Sequence, residues 1–215
     1  MALVHPAYGR LRQITENAAV VLAENPSVMS LEGTNTWILR APGADECLVV
    51  DPGPLDEAHL ARVAQVPVAA TLISHRHFDH TEGAGRFAEL ANCPVHASSA
   101  DHRHGGGNEL SDGDVVEAAG LRIRVLATPG HTADSLSFVV EDDNSVLTAD
   151  TILGRGTTVL DDTDGDLGDY LRSLRALIGL GPGYTVLPGH GPELDDLETI
   201  ARDYLAHREQ RLEQV

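Results

Sequence analysis

Apolar positions along this chain fall in short runs punctuated by Gly, Pro and acidic residues. Residues 18–23 are continuously apolar and predict a first strand, stopped by Asn25-Pro26-Ser27. Residues 36–40 and 46–51 predict a hairpin across 41–45. An amphipathic helix follows over 55–64, with Asp56 and Glu57 in its first turn and His59 read as a surface residue. Residues 69–73 predict a buried strand, a helix starts near Glu82, and 94–97 make a short strand with His96 as a filler. Strands over 115–117 and 121–126 flank the turn Asp112-Gly113-Asp114, and 135–140 pairs with 145–149 across 141–144. A helix from Leu167 places Tyr170, Leu171, Leu174, Leu177 and Ile178 on one face, with Asp166 as N-cap and Gly181-Pro182-Gly183 as its stop. The segment 193–215 is a last helix with Leu197, Ile200, Ala201 and Tyr204 on its core stripe and Arg208 in a solvated end.

Composition narrows the class. Apolar content of 42% is that of a globular protein, and the 215 residues suffice for one domain. No apolar run approaches the roughly 20 residues of a membrane span. The start, Met1 to Pro6, lacks the basic and apolar regions of a signal peptide, so a cytoplasmic location is expected. Cys47 and Cys93 lie in apolar contexts and read as buried free thiols. A net charge of −18 opposes whole-surface binding to nucleic acid, double-stranded DNA included, because phosphate contacts need Lys and Arg.

The chemistry concentrates in Ser74-His75-Arg76-His77-Phe78-Asp79-His80, between a predicted strand and a predicted helix. Imidazole and carboxylate are the ligands zinc takes when thiolate is absent. His75 and His77, two apart, can point the same way, while Asp79 and His80 face a second ion. His131, Asp150 and His190 each follow a predicted strand, so all can converge on one edge of the fold. His102 and His104 repeat the spacing but follow no apolar strand; they read as part of a glycine-rich loop rimming the pocket. The acidic run 161–166 does not fit a calcium loop, since Leu160 and Leu171 stand where acids are required.

The order H-x-H-x-D-H at His75, His77, Asp79 and His80, completed by His131, Asp150 and His190, resembles the metallo-β-lactamase superfamily. The narrower likeness is to its β-lactamase-like protein 2 (endoribonuclease-like) group, carried by Gly33-Thr34-Asn35-Thr36, residues 149–154, Gly156-Thr157-Thr158-Val159, 188–192 and 204–208. The resemblance implies a four-layer αββα sandwich of α+β class, with 1–215 one domain and the group's helical C-terminal extension absent. It implies two Zn(2+) ions, with Mn(2+) or Fe as alternatives. One is held by His75, His77 and His131, the other by Asp79, His80 and His190, and Asp150 bridges them. Such a pair gives hydroxide near neutral pH, which Asp79 would orient as the catalytic carboxylate. Asp51 would support the ligand loop, and Arg155, Thr157 and Thr158 could line the pocket. The implied reaction is hydrolysis of a phosphodiester in single-stranded RNA or of a small molecule. Glyoxalase II-type thioester hydrolysis, weak β-lactamase activity and a degenerate metal-binding homologue are the alternatives.

Overall fold

Alternation along the strands sets the architecture of the computed structural model, which describes residues 5–213. The expectations for Met1–Val4 and for the helix end at Gln214 and Val215 lie outside the described residues. The first sheet runs in chain order: β1 (Leu11–Gln13), β2 (Ala18–Leu22), β3 (Asn35–Leu39), β4 (Cys47–Val50), β5 (Val68–Leu72) and β6 (Val95–His96). The second comprises β7 (Val115–Ala118), β8 (Leu121–Ala127), β9 (Leu136–Val140), β10 (Ser145–Ala149) and β11 (Thr185–Pro188), each beside the next. Pairing is antiparallel except for β4–β5, β5–β6 and β10–β11, which are parallel.

Both faces of each sheet are covered, so the central strands read as continuous apolar runs rather than as half-polar ones. In β4, Leu48 and Val50 join the core between the sheets, where they meet Ile123, Phe138 and Leu147. Cys47 and Val49 turn outward to Leu60 and Val63 of α1 (Glu57–Val63) and Phe87 of a later helix. In β10, Leu147 faces inward and Val146 outward. The chain between β5 and β6 forms α2 (Phe78–Thr81) and α3 (Ala84–Ala91), two short helices divided at Gly83. The second sheet is covered by α4 (Leu167–Ile178) and α5 (Leu197–Leu212), through Tyr170, Leu174, Leu177, Leu197 and Ala201. The result is the expected α+β sandwich of helix, sheet, sheet, helix.

Several local expectations need correction. His59 is buried, not on the surface, and shares a hydrogen bond with Thr36 Oγ1 at 2.9 Å. The β7–β8 hairpin turns at Ala119 and Gly120; Asp112-Gly113-Asp114 precedes it. The loop carrying His102 and His104 packs on β6, where His104 pairs with Val95, and it does not line the cavity beside the histidine cluster. Arg208 is not merely solvated: its guanidinium reaches the Thr158 carbonyl and lies 5.2 Å from the Tyr170 ring centroid. Cys47 and Cys93 are buried free thiols, as expected.

Candidate metal centre

Five strand ends meet at one edge of the sandwich. Asp51 follows β4, residues 74–80 follow β5, His131 follows β8, Asp150 follows β10 and His190 follows β11. Two of these ends carry backbone that L-residues rarely adopt: φ is +53° at Asp51 and +45° at Ala149. The β10–β11 register also shifts between Leu147 and Ala149. This bulge re-aims the residue after it, which is Asp150. Gly189, just after β11, answers it, since a Cβ there would clash with Asp150 Oδ1.

Each of the five histidines is anchored by its outer ring nitrogen. His75 Nδ1 donates to Ser74 Oγ (2.9 Å), His80 Nδ1 to Asp51 Oδ2 (2.8 Å) and His77 Nε2 to Asp161 Oδ2 (2.9 Å). His131 Nδ1 donates to the Val159 carbonyl (2.6 Å) and His190 Nδ1 to that of Gly33 (3.0 Å). The inner nitrogens then face one another. His77 Nδ1 lies 3.1 Å from His75 Nε2 and 3.0 Å from His131 Nε2, and His80 Nε2 lies 3.3 Å from His190 Nε2.

Charge distinguishes the two sides. Burial holds His75 and His131 below the ordinary imidazole value, with Asp150 opposing in both. Burial also presses on His80 and His190, but the Asp79 and Asp150 carboxylates outweigh it and raise both. Asp79 and Asp150 would be pushed up by their own burial; the facing histidines instead hold them well below the usual carboxylate range.

The donor set fits a pair of cations. His75, His77 and His131 form one group and Asp79, His80 and His190 another, each offering ligand atoms within 4.8 Å of one another. Ligands about 2.1 Å from a tetrahedral ion lie roughly 3.4 Å apart, close to the spacing of these inward nitrogens. Asp150 lies between the groups, 3.6 Å from His131 Nε2 and 3.3 Å from His190 Nε2. Its buried Oδ1 has no hydrogen-bond partner, which is costly for a carboxylate oxygen unless something else satisfies it. Asp51 clusters with His75 and His80 too, but its oxygens already accept from Ser74 N, Ser74 Oγ and His80 Nδ1. It ties the loop 74–80 to the end of β4 and does not face the centre.

A cavity of about 210 Å³ opens over His131 and Asp150, walled by Val28, Met29, Leu31, Leu153 and Val159. Arg155 and Thr157 line it, and Arg155 is paired with Glu32. Thr158 also lines it; its buried hydroxyl donates to the Asp150 carbonyl at 2.8 Å. Sequence reasoning missed three supports. Asp161 holds both His77 and Arg76. Ser74 links Asp51 to His75, and Thr34 Oγ1 donates to Asp79 Oδ2 at 3.1 Å. Thr34 lies in the Gly33-Thr34-Asn35-Thr36 motif and Ser74 inside the ligand stretch, whereas Asp161 is one acid among several in its run.

Comparisons with known proteins agree with this geometry. The profile of the Metallo-beta-lactamase superfamily matches residues 29–190. The chain is 34% identical over 220 residues to Lactamase-like protein aptB of Emericella nidulans, covering 98% of this chain and 68% of that protein. It is equally 34% identical, over 221 residues, to the atrochrysone carboxyl ACP thioesterase of Aspergillus chevalieri, with the same coverages. Among solved structures, a beta-lactamase domain protein from Burkholderia ambifaria superposes with a TM-score of 0.81 at 25% identity, covering 99% of this chain and 79% of its own. With a matching profile, a shared sandwich and facing ligand groups at its strand ends, the chain belongs to the metallo-beta-lactamase superfamily of hydrolases.

Proposed function

We propose that this chain hydrolyses acyl thioesters, using two zinc ions held by His75, His77 and His131 on one side and Asp79, His80 and His190 on the other, with Asp150 between them. The observation that carries a two-ion centre is the buried, unpartnered Asp150 Oδ1 between two groups of inward-facing nitrogens. The thioester reading draws on the relative named as an ACP thioesterase and on the apolar wall of Val28, Met29, Leu31, Leu153 and Val159, which suits an acyl chain. Bound there, two dications supply Lewis acidity and acidify water near neutral pH. Manganese or iron would serve the same donors.

The residues divide the remaining work. Water adds to the carbonyl carbon, the C–S bond breaks, and acid and thiol leave. Without metal, His80 and His190 keep Asp79 ionised against its own burial; with ions bound, their positive charge would take over that role. Its Oδ2 is fixed by Thr34 and lies 3.1 Å from His190 Nε2. Its side chain is a third exposed, so it can take up the proton that water gives up. Thr158 holds the backbone of Asp150, which would lie between the two ions. The substrate is a small molecule or a carried acyl group in the cytoplasm, and neither double-stranded DNA nor a membrane is a partner.

Phosphodiester cleavage in single-stranded RNA is the second reading. It is favoured by Phe78, 80% exposed within the ligand loop, where a base could stack. Thiol release from acyl thioesters, followed with a thiol reagent, separates the two. Turnover should vanish on chelation, return with zinc, and fall at least about 100-fold in Asp79→Asn, the range of one general base. Inert thioesters together with cleavage of labelled RNA by the same zinc-loaded protein would reverse the assignment.

A further inference from the structure

A second cavity, of about 550 Å³, adjoins the metal centre and takes no part in the bond-breaking chemistry. The two cavities share Arg155 as a common wall, and Gly191, the neighbour of His190, lines the larger one. Its charge runs against the chain. The protein carries 33 acidic and 15 basic residues, yet this cavity is lined by three arginines (Arg10, Arg12 and Arg155), one histidine and a single acid, Glu32. Glu32 is taken up by Arg155. Arg12 pairs with Glu193 at 3.0 Å. Arg10 has no carboxylate partner among the described residues. The segment bearing Arg10 is pinned over the cavity by Tyr8, whose hydroxyl donates to the Glu32 carbonyl at 2.5 Å. Between the arginines the wall is apolar, through Val20 and Leu22.

We infer that this cavity binds the phosphate-bearing end of the substrate's thiol arm, with Arg10 and Arg12 as the anion-recognising residues. The inference rests on the thioesterase reading and gives it a substrate class: an acyl group on a phosphopantetheine-type arm, free or carried by a protein. Guanidinium groups match phosphate oxygens in geometry and charge. A flexible arm of methylenes and amides suits the apolar stretch beside Arg155, with the thioester left at the metal centre and the acyl chain against Val28 and Met29. A nucleotide chain fits less well, because no Phe, Tyr or Trp among the described residues lines the cavity to stack a base.

The test is calorimetric binding of phosphopantetheine and of pantetheine to the metal-loaded protein, repeated with an Arg10→Gln/Arg12→Gln variant. The phosphorylated compound should bind at least about tenfold tighter, as charge-assisted hydrogen bonds allow, and the variant should lose that preference. Equal affinities in the wild type, or a preference intact in the variant, would overturn the inference. So would weakened binding of a single-stranded oligonucleotide in the variant with phosphopantetheine binding unchanged. The parent reading fails separately. A phosphate preference without thioester turnover keeps the anion site and removes the thioesterase, while turnover without preference does the reverse.

Discussion

The two halves of the proposed metal centre, three histidines on one side and two with Asp79 on the other, stand on different ground. His80 is fully buried and rests on Asp51, itself 3% exposed, which also ties down Ser74 N and Ser74 Oγ. His77 is 27% exposed and rests on Asp161 in the turn before α4. One anchor lies at a strand end within the sandwich. The other lies 84 residues from its histidine along the chain, in a surface turn where it also holds Arg76 and accepts from Thr163 N and Asp164 N. The half buried at His80, and exposed only at Asp79, is held there by the fold, while the half exposed at His77 can loosen at that residue without the sandwich opening. The two proposed ion positions should therefore differ in how firmly they retain metal.

Removing Asp51 should have the largest effect. Asp51→Ala leaves the Ser74 amide, the Ser74 hydroxyl and the His80 ring without their acceptor inside the protein. Breaking a buried charged network of this kind costs about 3–5 kcal/mol. Urea denaturation should show that loss, and metal analysis should find both positions depleted, because Ser74 also orients His75. A variant with wild-type midpoint and full metal content would show that the buried anchor does not hold the centre.

Asp161→Ala should be milder and one-sided. His77 loses its acceptor and Arg76 one of two partners, but nothing in the core is exposed. Losing the partner of a metal-binding histidine typically weakens metal affinity about 10–100-fold. Titration with a competing chelator should release one ion early and the other at wild-type concentration, with the urea midpoint nearly unmoved. Simultaneous release of both ions would mean that the halves act as one unit, with no difference in firmness between them.

Place along the chain, more than burial, decides what can be read in the sequence, since the missed Ser74 and Thr34 are buried. The seven inward-facing residues were legible because each follows an apolar run, and strand ends gather on one edge of such a sandwich. The central strands were legible for the same reason: Leu48 and Val49 face opposite ways and are both buried, so the run is continuous. Supports that depend on register or on distant loops were not legible. Nothing local distinguishes Asp161 from Asp162 or Asp164 until α4 and its cap are placed. Ala149 gives no hint of its positive φ, and the bulge that aims Asp150 exists only in the pairing with β11. His59 was misplaced because the charged positions around it on α1 mark solvent, while its own ring turns inward beneath the Asp51-Pro52-Gly53 turn.

That histidine gives the most selective test of the buried half. Burial pushes His59 down to about 4 from its ordinary 6.5, against the pull of Asp56 and the Pro52 carbonyl. The neutral ring accepts from Thr36 Oγ1 and sits beside Gly53, behind the turn that aims Asp51. A depressed histidine pKa means that the unfolded chain takes up a proton first as pH falls. The associated stability is complete above about pH 6.5 and is lost on the way down to about pH 4. A pKa difference of one between the folded and unfolded chain is worth about 1.36 kcal/mol, so the amount is at most about 3 kcal/mol. In His59→Gln this dependence disappears, so the variant's deficit at pH 7 should shrink by up to that amount as pH falls to about 4. Other groups titrate in the same window, but they are common to both proteins and cancel in the difference between paired urea midpoints. A deficit constant across that range would show that His59 is not held neutral beneath the Asp51 turn, and the firmness of the buried half would then rest on Asp51 and Ser74 alone.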